Sequence, residues 1–238
     1  MTCLIILTMT LNKKLIEKLN KHQFASVVPF DLHDPNVYVF DFSDSNEELK
    51  NQAFSDIQEF IDWSFKKLKE NNAPVGVGGY AENRSIYKRS DVFKSNDEYR
   101  SIHLGIDITA EAGTEIYAPL EGKTHSFKNN SSFGDYGPTI ILEHNLDGEI
   151  FYTLYGHLSL NSLEGLFEGK KIKKGEKIAE LGDSTVNVGW PPHLHFQLIT
   201  DMLGKKGDFI GVCLPSEKDY YLNICPDPNL ILKIKKLE

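Results

Sequence analysis

The chain has 238 residues, 40% of them apolar and 25% charged, the proportions of a globular protein with room for one large or two small domains. Those proportions exclude a fibrous, collagen-like or largely disordered chain. Its 34 acidic residues outnumber 26 basic ones, and a net charge of -8 argues against nucleic acid as a partner.

Met1 to Met9 is apolar but short, and no Lys or Arg precedes it. It lacks the basic start of a secretory signal and falls well below the roughly 20 residues of a membrane span. Leu4 to Leu7 is therefore expected to begin a buried strand or helix, with the protein cytoplasmic and no membrane partner. The three cysteines, Cys3, Cys213 and Cys225, are odd in number and far apart, which suits a reducing compartment. Val37 to Phe42 reads as a strand. Over Asn46 to Glu70 the residues Phe54, Ile57, Ile61, Phe65 and Leu68 recur at helical spacing, which predicts one helix with Ser45 as N-cap and Glu48 completing a capping box. Asn71 to Gly79 ends it with Pro74 and three glycines. His22 and His33 are isolated and read as surface or core histidines.

From Ile102 onward, short β-type runs are punctuated by glycine, the pattern of an antiparallel sheet, sandwich or barrel. Asn145-Leu146-Asp147-Gly148 between two such runs predicts a hairpin turn. The expected class is α+β, a mainly antiparallel β domain with a smaller α/β N-terminal region. The expected divisions are residues 1–95, a β domain over 96–202, and a C-terminal extension over 203–238 that packs on the core.

Six of the eight histidines lie between positions 103 and 195. Three patterns carry chemistry: His103-x-x-x-Asp107, His157 in Tyr155-Gly156-His157-Leu158, and His193-Leu194-His195. Residues two apart in a strand share a face, so His193 and His195 point the same way. Buried imidazoles need partners, and a metal ion is an economical one. Asp107 would add an oxygen ligand, and three protein ligands with an open position describe a catalytic zinc site. Spacing alone does not say whether His193 or His195 is the ligand. No cysteine lies near these patterns. A phosphate-binding GxxxxGK[ST] loop and HExxH are both absent from the sequence, against a P-loop nucleotidase and a helix-borne zinc peptidase.

His103-x-x-x-Asp107, Tyr117-Ala118-Pro119-Leu120-x-Gly122, Tyr155-Gly156-His157-Leu158 and Pro192-His193-Leu194-His195-Phe196 follow in order. In this the sequence resembles the LytM/lysostaphin-type zinc metallopeptidases of the M23 peptidase family, over about residues 100–200. The resemblance implies a compact antiparallel β fold with a groove over one zinc ion. It implies His103, Asp107 and His195 as metal ligands, and His157 and His193 as catalytic residues, without saying which is the general base. Gly78 to Asn229 further resembles a subgroup of such domains that lack a secretion signal, some of them found beside kinase-like and aminotransferase domains.

On the shared-face argument Gln197 is a candidate to hydrogen-bond a ligand imidazole, and Tyr155 a candidate to line the groove. Tyr80, Glu82 and Arg84 are candidates to cap it or bind substrate. Trp190-Pro191-Pro192 reads as a rigid turn, and His125 and His144 match no motif position. The implied activity is a zinc metalloendopeptidase or amide hydrolase using a metal-activated water. Its implied substrate is a peptide or muropeptide of peptidoglycan type, or another peptide. The alternative is a non-catalytic module that engages a partner through the groove, and the presence of all five motif residues speaks against it.

Overall fold

The computed structural model describes residues 13–52, 54 and 56–238. The expected element at Leu4 to Leu7 lies outside the described residues. Helix α1 (residues 13–21) buries Leu15 and Leu19, one turn apart on the same face. Among the described residues, eight strands form the main sheet: β1 (Tyr38–Phe40), β2 (Gly76–Gly78), β3 (Ile106–Thr109), β4 (Gly122–Asn130), β5 (Gly137–Leu146), β6 (Glu149–Gly156), β7 (Lys171–Ile172) and β8 (His193–Ile199). Their spatial order is β1-β2-β3-β8-β6-β5-β4-β7. Only β1 and β2 pair in parallel, and every other neighbour is antiparallel. Strands from the N-terminal stretch thus extend the same sheet that carries the histidine motifs. Among the described residues, no helix is long and apolar enough to cross a membrane.

The helix expected over Asn46 to Glu70 is two helices, α2 (Glu47–Asn51) and α3 (Ile57–Glu70). Two side-chain caps compete along that stretch. Asn46 accepts from the Leu49 N–H at 3.2 Å, and Asp56 accepts from the Glu59 N–H at 3.0 Å. Asn46 takes the N-cap place expected for Ser45, whose hydroxyl lies 2.7 Å from that of Ser43. The interruption turns Phe54 into an aromatic cluster, its ring centroid 4.8 Å from Phe60 and 5.7 Å from Trp63. The predicted hairpin is present. Leu146 pairs with Glu149, and Asp147 (φ 51°) and Gly148 (φ 90°) form the two-residue turn with both φ positive.

Alternation along the strands separates the two faces of the sheet. Leu194, Phe196 and Leu198 of β8, Ile106 and Ile108 of β3, and Phe151 and Tyr155 of β6 enter the main core, which includes Leu15 and Leu19 of α1. The opposite face carries Ile141, Leu154 and Ile199. It is covered from the C-terminal side by Met202, Phe209, and Ile224 and Cys225 at the end of α4 (Lys218–Ile224). The last helix, α5 (Asn229–Leu232), returns Ile231 and Leu232 to the main core. Asp107, His193 and His195 occupy the alternate positions of β3 and β8, away from the main core.

His144 is buried on β5. Its Nδ1 lies 2.9 Å from the Glu121 carbonyl and its Nε2 2.8 Å from the Thr153 hydroxyl. Burial pushes its pKa down to about 4. The unfolded chain therefore binds more protons between that value and the ordinary ~6.5. The resulting stability, on the order of 3 kcal/mol, is fully present above about pH 6.5 and is lost as the pH falls toward 4. Replacing His144 with Gln should flatten the decline of the unfolding midpoint between pH 7 and 4, and a decline as steep as wild type contradicts this.

Candidate metal centre

His103 belongs to a short strand, Ile102–His103, paired with Val212–Cys213. Its backbone is held on the other side by Ala81, whose N–H donates to the His103 carbonyl at 2.8 Å, and by the Glu82 carbonyl, which accepts the His103 N–H at 3.0 Å. Asp107 and His195 sit directly opposite each other in the antiparallel register of β3 and β8. Three residues lie between His103 and Asp107, enough for the chain to pass from the small pair into β3. Between them Gly105 crosses the His195 ring, and a Cβ there would fall 2.6 Å from Cε1 and 2.7 Å from Nε2. Only glycine leaves that ring its place.

These elements bring three donor atoms together. His103 Nε2 lies 3.0 Å from His195 Nδ1 and 3.2 Å from Asp107 Oδ1, and His195 Nδ1 lies 3.1 Å from the same oxygen. Among the described residues this is the one His/Asp/Glu/Cys group of three arranged to hold a metal ion. Ligand atoms of a tetrahedral zinc ion are roughly 3.3–3.5 Å apart, close to these separations.

The hydrogen bonds behind the donors fix where the protons are. His103 Nδ1 faces the Gly79 carbonyl at 2.9 Å, an acceptor only, so Nδ1 carries the proton and Nε2 a lone pair. Gln197 donates through Nε2 to the Ile210 carbonyl at 3.0 Å, which turns its Oε1 toward His195 Nε2 at 2.9 Å. His195 Nε2 therefore carries the proton and Nδ1 the lone pair. Burial and the nearby Arg84 push the His103 imidazole down to about 4, so it is neutral at pH 7. Burial pushes the Asp107 carboxyl up, but the His103 imidazole and the Arg84 guanidinium outweigh it and hold the group well below the usual carboxylate range. Two imidazole lone pairs and a carboxylate oxygen thus converge with no proton between them. That arrangement is repulsive unless a cation sits among them, and the residues fit a divalent metal ion.

The second oxygen of Asp107 is taken by Arg84, whose guanidinium donates to Oδ2 at 2.5 Å. Arg84 is buried, donates also to Glu82 at 2.8 Å, and lies over the Phe42 ring at 5.1 Å. Glu82 in turn accepts the Phe42 N–H at 2.9 Å. The Tyr80 hydroxyl donates to the Cys225 carbonyl at 2.5 Å. Glu82 and Arg84 therefore brace Asp107, and Tyr80 holds the C-terminal segment, where the sequence suggested groove caps or substrate contacts.

His193 Nδ1 faces the Pro191 carbonyl at 2.7 Å, which leaves a lone pair on Nε2, 3.8 Å from Asp107 Oδ1. The His157 ring lies 4.1 Å from that of His193, centroid to centroid. His157 adopts φ 62° just beyond the end of β6, with its N–H on the Tyr136 carbonyl at 2.8 Å and its carbonyl on the Gly182 N–H at 3.0 Å. Its Nδ1 is buried without a partner. Burial pushes the His157 imidazole well below its ordinary pKa and also lowers that of His193.

All five motif residues are brought together, and Gln197 stands behind His195 as expected. Tyr155 does not line the site. It is fully buried in the main core, its hydroxyl 3.0 Å from that of Thr153. The left-handed backbone at His157 ends the strand alternation on which its assignment rested. His125 and His144 lie elsewhere on β4 and β5. Sequence reasoning missed Gly79, Ile210 and Cys225, whose contributions are a backbone carbonyl each from Gly79 and Ile210, and, from Cys225, a buried thiol 3.2 Å from Gln197 Nε2. It also missed Tyr136, whose ring lies 5.0 Å from that of His195.

Residues 101–209 match the family described as Peptidase family M23. An "Uncharacterized metalloprotease" of Haemophilus influenzae is 33% identical over 95 residues, 40% of this chain and 18% of that protein. An "Uncharacterized lipoprotein YgeR" of Escherichia coli is 36% identical over 94 residues, 40% of this chain and 33% of that protein. The similarity thus spans a third or less of these curated relatives. Among solved structures, the catalytic domain of the antimicrobial peptidase lysostaphin from Staphylococcus simulans is 23% identical, with 57% of this chain and 96% of that chain covered and a TM-score of 0.35.

Replacing Arg84 with Met leaves the buried Asp107 carboxylate and the half-buried Glu82 carboxylate without their cation and should cost about 3–5 kcal/mol of stability. The double replacement Glu82→Gln with Arg84→Met should recover part of it. Thermal unfolding of the three proteins checks this, and an Arg84→Met midpoint equal to wild type contradicts the bracing arrangement.

Proposed function

We propose that the protein is a zinc-dependent peptide or amide hydrolase, with His103, Asp107 and His195 as metal ligands and His193 and His157 as catalytic residues. The observation that carries this reading is the buried convergence of two imidazole lone pairs and a carboxylate oxygen within 3.0–3.2 Å, beside two further histidines on an open cavity. A zinc ion bound there supplies a Lewis acid that polarises the scissile carbonyl and acidifies a water molecule.

The chain's own residues divide the proton work. With its Nδ1 proton committed to Pro191, His193 presents Nε2 as an acceptor. It takes a proton from the attacking water as general base and returns it to the leaving amine. Burial keeps it neutral and ready to accept. His157, locked by the Tyr136 carbonyl and the Gly182 N–H, donates to the carbonyl oxygen as negative charge develops there. The substrate belongs to the same proposal: a peptide, with peptidoglycan stem or cross-bridge peptides as one class.

The test is zinc content together with hydrolysis of a peptide and muropeptide panel, with and without a chelator. Wild type should hold one zinc ion per chain and lose hydrolysis on chelation. His195→Ala should lose the metal. His193→Ala should keep it and lose hydrolysis by at least about 10²-fold. A folded chain that takes up no zinc and cuts nothing contradicts the hydrolase and leaves a binding module.

A further inference from the structure

The metal centre forms the floor of a cavity of about 320 Å³, with Asp107, His157, His193 and His195 all on its surface. Six aromatic side chains form part of its wall: Phe42, Tyr87, Phe93, Phe133, Trp190 and Phe209. Tyr87, Phe93 and Trp190 pack as one cluster, with ring centroids 4.8, 5.7 and 6.1 Å apart. Phe42, Tyr87 and Phe93 come from the chain before residue 101, outside the stretch matched by the peptidase family.

Two features of the mouth indicate what the cavity accepts. Its lip is apolar and solvent-facing, with Phe133 64% and Val92 45% exposed. The two lips meet, since a Cβ on Gly134 would lie 3.3 Å from Phe93 and 3.5 Å from Val92. Exposed apolar side chains converging on a concave site mark a surface that gains by being covered. The charged groups on the wall do not select a charged ligand. Arg84 and Asp107 neutralise each other, Arg100 lies over Phe93 at 5.6 Å and donates to the Val92 carbonyl, and Lys205 lies over Phe209 at 5.6 Å. Asp135 and Asp208 balance the two outer cations.

We propose that this cavity is a specificity pocket for a bulky apolar side chain, aromatic above all, carried by the substrate residue next to the scissile amide. The proposal rests on the hydrolase reading for the amide, and on the cavity alone for the side chain. A volume of about 320 Å³ sits at the small end of ligand cavities and takes one aromatic side chain with its peptide unit. A glycine or alanine in that position leaves the aromatic walls wet. Covering an aromatic side chain should favour the bulky ligand by about 10- to 100-fold.

The test compares phenylalanine hydroxamate with glycine hydroxamate, which share a metal-binding head and differ by a benzyl group, by calorimetry on the zinc-loaded full chain. The phenylalanine compound should bind at least about 10-fold tighter. Phe93→Ala should shrink the ratio, and so should Phe133→Ala, whose exposed ring can be removed without disturbing the core. Equal affinities, failure of both compounds to bind, or a ratio unchanged in both variants overturns the pocket. A peptide panel then separates the two claims. If the hydroxamates discriminate but no peptide is cut, the hydrolase reading fails and the pocket stands. If peptides are cut as fast with glycine as with phenylalanine beside the bond, the pocket fails and the hydrolase stands.

Discussion

Asp107 and His195 face each other across two neighbouring antiparallel strands, on the side of the sheet away from the main core. A carboxylate and an imidazole lone pair in that register are held about as close as two ligands of one ion. His103 arrives from the adjacent short strand with its own lone pair at 3.0 Å from that of His195. Three acceptors forced together in a buried place are unfavourable on their own, and the surrounding structure is arranged to keep them there. One slipped residue in the β3–β8 register would send Asp107 into the core.

The bracing comes from both ends of the chain. From the N-terminal side, the Gly79 carbonyl fixes the His103 tautomer, and Arg84 occupies the outer oxygen of Asp107. From the C-terminal side, the Ile210 carbonyl orients Gln197, and Gln197 orients His195. Such partners behind the ligands set ring orientation and donor strength. The family-matched stretch 101–209 supplies the five motif residues and Gln197, while segment 79–84, Ile210 and Cys225 lie outside it. The N-terminal stretch is thus part of the site's construction as well as of the sheet, through β1 and β2.

What was legible in the sequence depended on how local the signal is. The β-rich class, the Asp147-Gly148 turn and the five motif residues could be read because short-range patterns carry them. The break between α2 and α3 was hidden because apolar spacing runs through it, while Asn46 and Asp56 each start a helix. Tyr155 was misplaced because the i, i+2 rule holds only within a strand, and His157 leaves β6 in a left-handed conformation. Arg84 could be singled out as a nearby charge, but its partner Asp107 lies 23 residues on and no spacing rule connects them. Gly79 and Ile210 act through backbone carbonyls, which leave no trace in residue type.

The most direct test of the account is a crystal of the zinc-loaded chain examined by anomalous scattering at the zinc edge. The account predicts a single strong peak about 2.0–2.2 Å from His103 Nε2, Asp107 Oδ1 and His195 Nδ1, with His157 and His193 nearby and unligated. No peak at that position, or a peak ligated by His193 in place of His195, would contradict it.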